Sequence, residues 1–366
     1  MTIGLPILSI YRVSTSGEVL LVAANVPYTE VSWTRRFSTC GEMSAQLACP
    51  LPVEWPGRYL ATLSDHDEVA VLEKPDASEG ADGDSVVLYG RFAESLWDRY
   101  RLGAGGESER GANWRQAVTA AAHAWHMADV PAIADGPGTA ASTGSSYAIS
   151  GAAGDSAMES IYSCCASNGS HPLLSYDRAA GALELSIVTG LDRTRSQSEN
   201  TIWIFSLGMG TASGVSYSGD YSCSCSEVVA HAEKDVDEQT VSVTRTVAVP
   251  GFDASTQWLQ RAYEDVGSLI DQDATPTASL VDSAGLLRAY DHMPALSIDS
   301  TVAGVGYRSS WDLGDLVEVE MPSMSYAASE RVEEVRETWS ADGPSVEATL
   351  GTKAISKVRR ALMGRR

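Results

Sequence analysis

Residues 316 to 321, LVEVEM, alternate strictly, with Val317, Val319 and Met321 on one face and Glu318 and Glu320 on the other. A period of two is that of a half-buried β-strand. This strand is launched from Trp311-Asp312-Leu313-Gly314-Asp315, a turn whose glycine tolerates a backbone that other residues resist and whose aspartates can satisfy turn amides. Similar short blocks recur from the first residues of the chain, so the pattern restricts the fold to one built chiefly of short strands.

The first ninety-odd residues carry six such segments: Val19 to Val26, Val31 to Phe37, Met43 to Cys49, Tyr59 to Leu63, Glu68 to Leu72 and Val86 to Phe92. Turn residues separate them, and the spacing predicts a small barrel or sandwich. The character then changes. Asn113 is placed as an N-cap for a helix carrying Trp114, Ala117, Val118, Ala121 and Ala122, and Ser156 to Glu159 has capping-box spacing for a second helix that ends at Asn168-Gly169. Leu173 to Tyr176 and Leu183 to Val188 flank a turn as a hairpin, while the Gly- and Ser-rich stretch from Asp135 to Gly154 reads as a long loop.

A second β region begins near Asn200. Helical patterning over Thr256 to Ile270 and Thr277 to His292 interrupts it, and strands resume at Leu296 to Val302, Leu316 to Met321, Arg331 to Trp339 and Val346 to Leu350. At 366 residues the chain exceeds one ordinary core. The predicted class is α+β and β-rich: a first β domain over 1–95, an α+β domain over 96–195 and a second β domain from 196–250 and 296–350. A helical insertion over 251–295 and a basic tail over 351–366 complete the layout.

Composition narrows the function. Forty-eight acids against 26 bases, a net charge of −22, oppose a surface that wraps nucleic acid. The apolar run Leu20 to Ala24 is far short of a bilayer span, so no stable membrane insertion is expected. The N-terminal MTIGLPILSIYRVS offers neither a basic n-region nor a cleavage site, so no signal peptide is expected. The exception to acidity is GTKAISKVRRALMGRR at the C-terminus, where Lys353, Lys357, Arg359 and Arg360 could dock on an acidic partner.

No pattern of residues assembles a catalytic centre. His123-x-x-His126 with Asp129 lacks the glutamate and third ligand of a zinc site. Gly103 to Gly106 is neither a P-loop nor a dinucleotide fingerprint, and no Gly-x-Ser-x-Gly elbow is present. Cys40, Cys49, Cys164, Cys165, Cys223 and Cys225 contain no Cys-x-x-Cys and read as free thiols of a reducing compartment. No cofactor, metal or catalytic residue is expected. Leu191-Asp192-Arg193-Thr194, directly after the strand ending in Gly190, reads either as a salt-bridged strand exit or as a register device.

In order along the chain, several stretches resemble the tail-tip hub (tail-associated) proteins of long-tailed siphophages. These are Val31-Ser32-Trp33-Thr34-Arg35-Arg36-Phe37 with Gly41-Glu42-Met43; Gly90-Arg91-Phe92 to Arg99-Tyr100; and Gly190-Leu191-Asp192-Arg193-Thr194. Tyr307 with Asp312-Leu313-Gly314-Asp315-Leu316-Val317, and the closing Leu350-Gly351, complete the series. The resemblance implies two β-barrel-like tube domains interleaved with smaller α/β insertions, as in phage baseplate hubs. It implies a non-enzymatic homotrimer at the distal end of the virion tail, assembled in the host cytoplasm. Implied partners are the distal tail protein ring, the C-terminus of the tape measure protein and receptor-binding or tail-fibre proteins, with DNA only in transit through the lumen. Host attachment and genome ejection follow as roles.

Structural determinants are expected at Trp33, Arg36, Gly41, Asp192, Arg193, Leu313, Gly314 and Asp315. The alternatives are a tail-tip cell-wall hydrolase, with Glu159 or Asp177 in service, and a β-rich carbohydrate-binding protein using exposed tryptophans.

Overall fold

A computed structural model describes residues 5–79, 85–140, 146–222, 224–236, 239–250, 252–270, 274–293, 295–302 and 305–351. The N-terminal region holds seven strands: β1 (Leu8–Val13), β2 (Val19–Ala23), β3 (Tyr28–Arg36), β4 (Glu42–Leu47), β5 (Tyr59–Leu63), β6 (Val69–Ser78) and β7 (Ser85–Phe92). Next come α1 (Ser95–Asp98), β8 (Glu107–Gly111), α2 (Trp114–Ala124), β9 (Ile133–Asp135), β10 (Tyr147–Gly151), α3 (Ala157–Ser167), β11 (Ser170–Asp177) and β12 (Ala182–Thr189). The remainder is β13 (Ile204–Phe205), β14 (Gly214–Asp220), β15 (Glu227–Val236), β16 (Gln239–Ala248), β17 (Arg261–Asp265), α4 (Ala278–Asp291), β18 (Ala295–Val302), β19 (Leu316–Met321), β20 (Tyr326–Ser340) and β21 (Gly343–Leu350).

The described residues divide into two compact units, one of residues up to 216 with 299–351 and the other of residues 217–298. In the first unit the strands of both chain ends share one sheet, in the order β21-β20-β3-β4-β7-β6-β5-β1-β2, with β19 pairing β20 and β13 pairing β19. The hinge of this arrangement is the antiparallel pair β20–β3, in which Glu334 faces Arg36 and Glu337 faces Trp33. The expected pair of closed barrels is not found. Among the described residues the order is an open path, with β2 unpaired on one side at its end.

The core follows from the alternation. Val31 and Trp33 of β3, Met43 and Ala45 of β4 and Val335 and Trp339 of β20 are all buried. β5 is buried along its whole length, flanked by β1 and β6. β1 shows no clean alternation, because Leu8 and Ile10 on one face and Ser9 and Tyr11 on the other are all buried. A strand covered on both faces loses the period-two signature, so this one does not stand out in the sequence.

The helical layer begins at α2, where the Asn113 side chain accepts from the Gln116 amide at 3.0 Å, as a cap should. α3 starts at Ala157 as its capping-box spacing predicts, but Ser156 does not cap it: its hydroxyl donates to Asp98 Oδ1 at 2.8 Å instead. Trp97 is fully buried and donates Nε1 to the Ala122 carbonyl at 3.2 Å, fastening α1 to α2. The hairpin β11–β12 forms as expected, with Asp177 Oδ1 accepting from the amides of Ala179 and Ala180 in its turn. The stretch read as a loop from Asp135 contains β10, antiparallel to β8. Only Ile149 of β10 is buried, too weak a pattern to betray a strand.

The second unit is a three-stranded sheet, β16-β15-β17, antiparallel on one side and parallel on the other. α4 packs on it through Val281, Ala284 and Ala289 against Val228, Ala230 and Ala232. The helix expected over Thr256 to Ile270 is instead an exposed loop followed by β17. Trp258 and Leu259 are 95% and 77% exposed, and residues 261–265 alternate out and in. Their apolar spacing satisfied both periods, and pairing with β15 settled it as strand.

Candidate functional site

Three of the recognised stretches, near residues 35, 192 and 313, converge in the first unit. Asp315 is the point where two of them lock. Its Oδ1 accepts from the Leu191 amide at 2.7 Å, while Oδ2 accepts from the Asp312 amide at 2.9 Å and from Arg193 Nε at 2.5 Å. The backbones are laced together as well: Leu316 N donates to Leu191 O at 2.9 Å and Arg193 N to Leu316 O at 2.8 Å. A residue 4% exposed thereby fixes the register between the exit of β12 and the start of β19.

Asp192 and Arg193 make different contacts at this exit. Arg193 is the salt-bridged member. Asp192 bridges to Leu316 through its backbone and turns its carboxylate onto the amide and hydroxyl of Thr194.

Gly314 adopts φ +86°, where a side chain is strained, and a Cβ there would stand 2.8 Å from the Phe37 ring. Its amide donates to Val332 O at 2.8 Å and its carbonyl accepts from Arg331 Nη1 at 2.6 Å, so the turn is stitched to β20. Leu313 is buried beside it. Trp311 is fully buried, edge-on to Phe205 at 5.1 Å, and donates Nε1 to the Val305 carbonyl at 3.0 Å.

From the same turn Asp312 reaches β3. Arg35 Nη1 donates to Asp312 Oδ1 at 2.5 Å and to the Tyr307 hydroxyl at 3.0 Å, and Arg35 Nε pairs with Glu68. Tyr307 in turn donates to Glu337 Oε1 at 2.8 Å, and Glu337 also meets Arg308 Nη2 at 3.1 Å and His66 Nε2 at 3.2 Å. Burial alone would raise the Glu68 carboxyl, but the charges of Arg35, Arg308 and His66 outweigh it and hold it down at about 2. Glu337 is likewise held below the usual carboxylate range against its burial, by His66 and Arg308. Arg308 and Asp65 both take left-handed backbones, at φ 60° and 62°, and Arg308 Nη1 donates to the Asp65 carbonyl at 2.7 Å.

The neighbouring Arg36 points to the other side of β3 and pairs with Glu334 at 2.6 Å and Glu42 at 2.5 Å. Trp33 is fully buried. Gly41 is dictated by close approach, since a Cβ would meet the Phe92 ring at 2.4 Å and the Thr34 carbonyl at 2.5 Å. The expected determinants thus lie in or beside one lattice, whereas its buried charges Arg35, Glu68 and Glu337 were not singled out. One signal was available: Arg35 shares the inward face of β3 with Val31 and Trp33, and Glu337 shares that of β20 with Val335 and Trp339. A charge in a core-facing register demands a partner.

The residues considered for other functions sit apart from this lattice. Glu159 is exposed on α3, and Asp177 is occupied by its turn amides. His123 meets Asp135 at 2.6 Å while His126 meets the Met127 carbonyl, and among the described residues no group of three metal-ligating side chains gathers. Cys40, Cys49, Cys164, Cys165 and Cys225 are free thiols. Cys223 and the docking candidates Lys353, Lys357, Arg359 and Arg360 lie outside the described residues. No described helix is long and apolar enough to cross a membrane.

Comparison with known proteins accords with this architecture. The fold is similar to a tail protein from Neisseria meningitidis MC58, with TM-score 0.54 at 13% identity over 94% of this chain and 96% of that one. It is also similar to the 43 kDa tail protein of prophage MuSo2 from Shewanella oneidensis, with TM-score 0.54 at 11% identity over 94% and 98%. Prophage tail protein gp18 from Listeria monocytogenes EGD-e matches over 99% of both chains, with TM-score 0.50 at 8% identity. No curated protein matches the chain by sequence. The model of the Siphovirus ReqiPepy6 Gp37-like protein family matches residues 154–352, a span that takes in the Asp315 lock and the whole of β19 to β21. The chain belongs to that Gp37-like protein family of siphoviruses.

Proposed function

We propose that the protein is the hub of a siphophage tail tip, a homotrimer that continues or closes the tail tube. The observation that carries this reading is the open end of the large sheet. β2, with sequence VLLVA, pairs only with β1 among the described residues, and Leu20, Leu21 and Val22 are 51%, 55% and 44% exposed. An apolar edge strand without a charge or proline is a template for another chain. In a tail protein the natural partner is a further copy, and a head-to-tail contact forms a ring when its rotation closes. Three copies of the chain around one axis would stand against a hexameric tail ring.

On this reading the distal tail protein, the tape measure C-terminus and receptor-binding proteins are the neighbours at the far end of the tail. The net charge of −22 per chain favours passage of DNA without adhesion. The basic segment 353–366 is assigned to an acidic neighbour, so its deletion should weaken tip assembly and leave the trimer intact.

Mass by light scattering on the purified chain is the decisive measurement. Three subunits are expected; a monomer at every accessible concentration would end the hub reading. Lysis zones on cell-wall zymograms would favour the hydrolase instead. The carbohydrate reading rests on Trp258, the tryptophan most open to solvent, and would need glycan binding by a monomer.

A further inference from the structure

Between β3, the β3–β4 turn, the residue preceding β6, α3 and β11 lies a small polar space beside the register lattice. It is lined by Arg35, Arg36, Glu68, Glu94, Tyr162 and His171 among others, and its volume is about 10 Å³. Glu68, Glu94 and His171 are only 4%, 2% and 4% exposed. Each carboxylate is anchored by one oxygen: Glu68 Oε1 by Arg35, and Glu94 Oε1 by the Leu174 amide at 2.7 Å. The second oxygen of each, and His171 Nδ1, are buried with no hydrogen-bond partner among the described residues. Three buried polar atoms around one space are costly to leave without hydrogen-bond partners. A space of this size admits one water, and a buried water makes about three hydrogen bonds.

We propose that this cavity is an ordered-water site, in which a single water joins Glu94 Oε2, Glu68 Oε2 and His171 Nδ1 and so ties the helical layer to the Arg35 lattice. The proton inventory balances if Glu94 carries its proton. The Glu94 hydroxyl donates to the water, and the water donates its two hydrogens to the Glu68 carboxylate and to Nδ1 of a neutral imidazole. The environment supports each state. Burial pushes the Glu94 carboxyl up to about 8, with the Leu174 amide opposing and Glu68 adding to the rise. Burial and the Arg35 charge hold His171 down at about 4. The other ionisable groups facing the site are Arg35 and Arg36 on β3, Cys40 in the turn after it and Tyr162 on α3, with Asp312 and Arg331 acting from further out.

A pH signature follows. Glu94 binds its proton more tightly folded than unfolded, so stability drains away as pH rises from about 4.5 to about 8. His171 binds its proton less tightly folded, so it acts in the opposite sense between about 4 and 6.5. The two offset each other below 6.5, leaving Glu94 alone between 6.5 and 8. There the folding equilibrium of the parent should fall by about tenfold per pH unit relative to Glu94→Gln, which keeps the donor to water and the acceptor for Leu174 but cannot ionise.

The experiment has two arms on the full-length chain. High-resolution crystallographic density at neutral pH should show one peak within hydrogen-bonding distance of all three atoms, and urea titrations from pH 6.5 to 8 should diverge between parent and Glu94→Gln as stated. An empty cavity in the parent, or a peak touching a single one of the three groups, overturns the proposal whether or not the variant folds. Parallel titration curves for the two proteins would overturn it equally.

Discussion

Asp315 and Arg193 are 122 residues apart in the chain, yet Oδ2 of one accepts from Nε of the other at 2.5 Å. Arg193 and Asp315 side chains are 13% and 5% exposed, and the same carboxylate satisfies the Leu191 and Asp312 amides. Two distant segments therefore depend on one side chain for their register. Removing one member of a buried pair leaves an uncompensated charge, and here two amides lose their acceptor as well.

Asp315→Ala should destabilise the chain by about 3–5 kcal/mol, the range for breaking a buried ion pair from one side. Asp315→Asn retains one carbonyl acceptor and should fall between that variant and the parent. Urea midpoints at constant slope measure both. A near-neutral alanine variant would show that the pair does not hold the register.

Gly190 and Gly314 approach so closely that a Cβ on Gly190 would lie 1.9 Å from the Gly314 carbonyl oxygen. That neighbour is backbone and cannot swing aside. Gly190→Ala should cost at least the about 1–3 kcal/mol of an overpacked site. Gly314→Ala meets the left-handed backbone, costing roughly 1–2 kcal/mol, in addition to contact with the Phe37 ring. Thermal melts should rank both variants below the parent, with Gly190→Ala showing the larger loss.

How much of this was visible in the sequence depends on how locally each feature is encoded. Asn113 announces its helix because a cap acts over three residues, and β19 announces itself because its outward face is charged. β1 is silent because both its faces are buried. The β17 segment misleads because Trp258, Leu259, Ala262, Tyr263 and Val266 fit a helix as well as a strand, and only pairing with Glu227 to His231 decides. The turn at 311–315 could be marked as unusual, yet its partners could not be read. Arg35, Glu68, Tyr307 and Glu337 are brought together by the pairing of β3 with β20, a long-range contact between chain ends assigned to separate domains from their patterns.

Acid should reveal the Arg35 lattice. Glu68 ionises in the folded chain at about 2 and ordinarily near 4.5, so it contributes stability that is present above 4.5 and lost as pH falls toward 2. Glu68→Gln should be less stable than the parent at pH 7 and should lose less between pH 5 and 3. Urea midpoints across that range test it, and identical acid limbs would remove Glu68 from the lattice. Tyr307→Phe, which takes the hydroxyl from Arg35 and Glu337, should cost about 1–3 kcal/mol for the polar groups it strands.

The open edge of the sheet gives the prediction that bears most directly on assembly. Leu21 is opposite Tyr11 in the β1–β2 ladder and is 55% exposed, so replacing it leaves the buried core in place. A lysine there supplies the charge with which edge strands resist further pairing. If β2 is where copies meet, Leu21→Lys should lower the mass in solution to that of one chain while urea unfolding of the isolated subunit stays within about 0.5 kcal/mol of the parent, as for an ordinary surface change. Retention of the parent's mass by a charged edge would move the contact elsewhere on the molecule. A concentration-dependent shift of the association equilibrium, read by sedimentation, would measure how much of the interface those three apolar side chains carry.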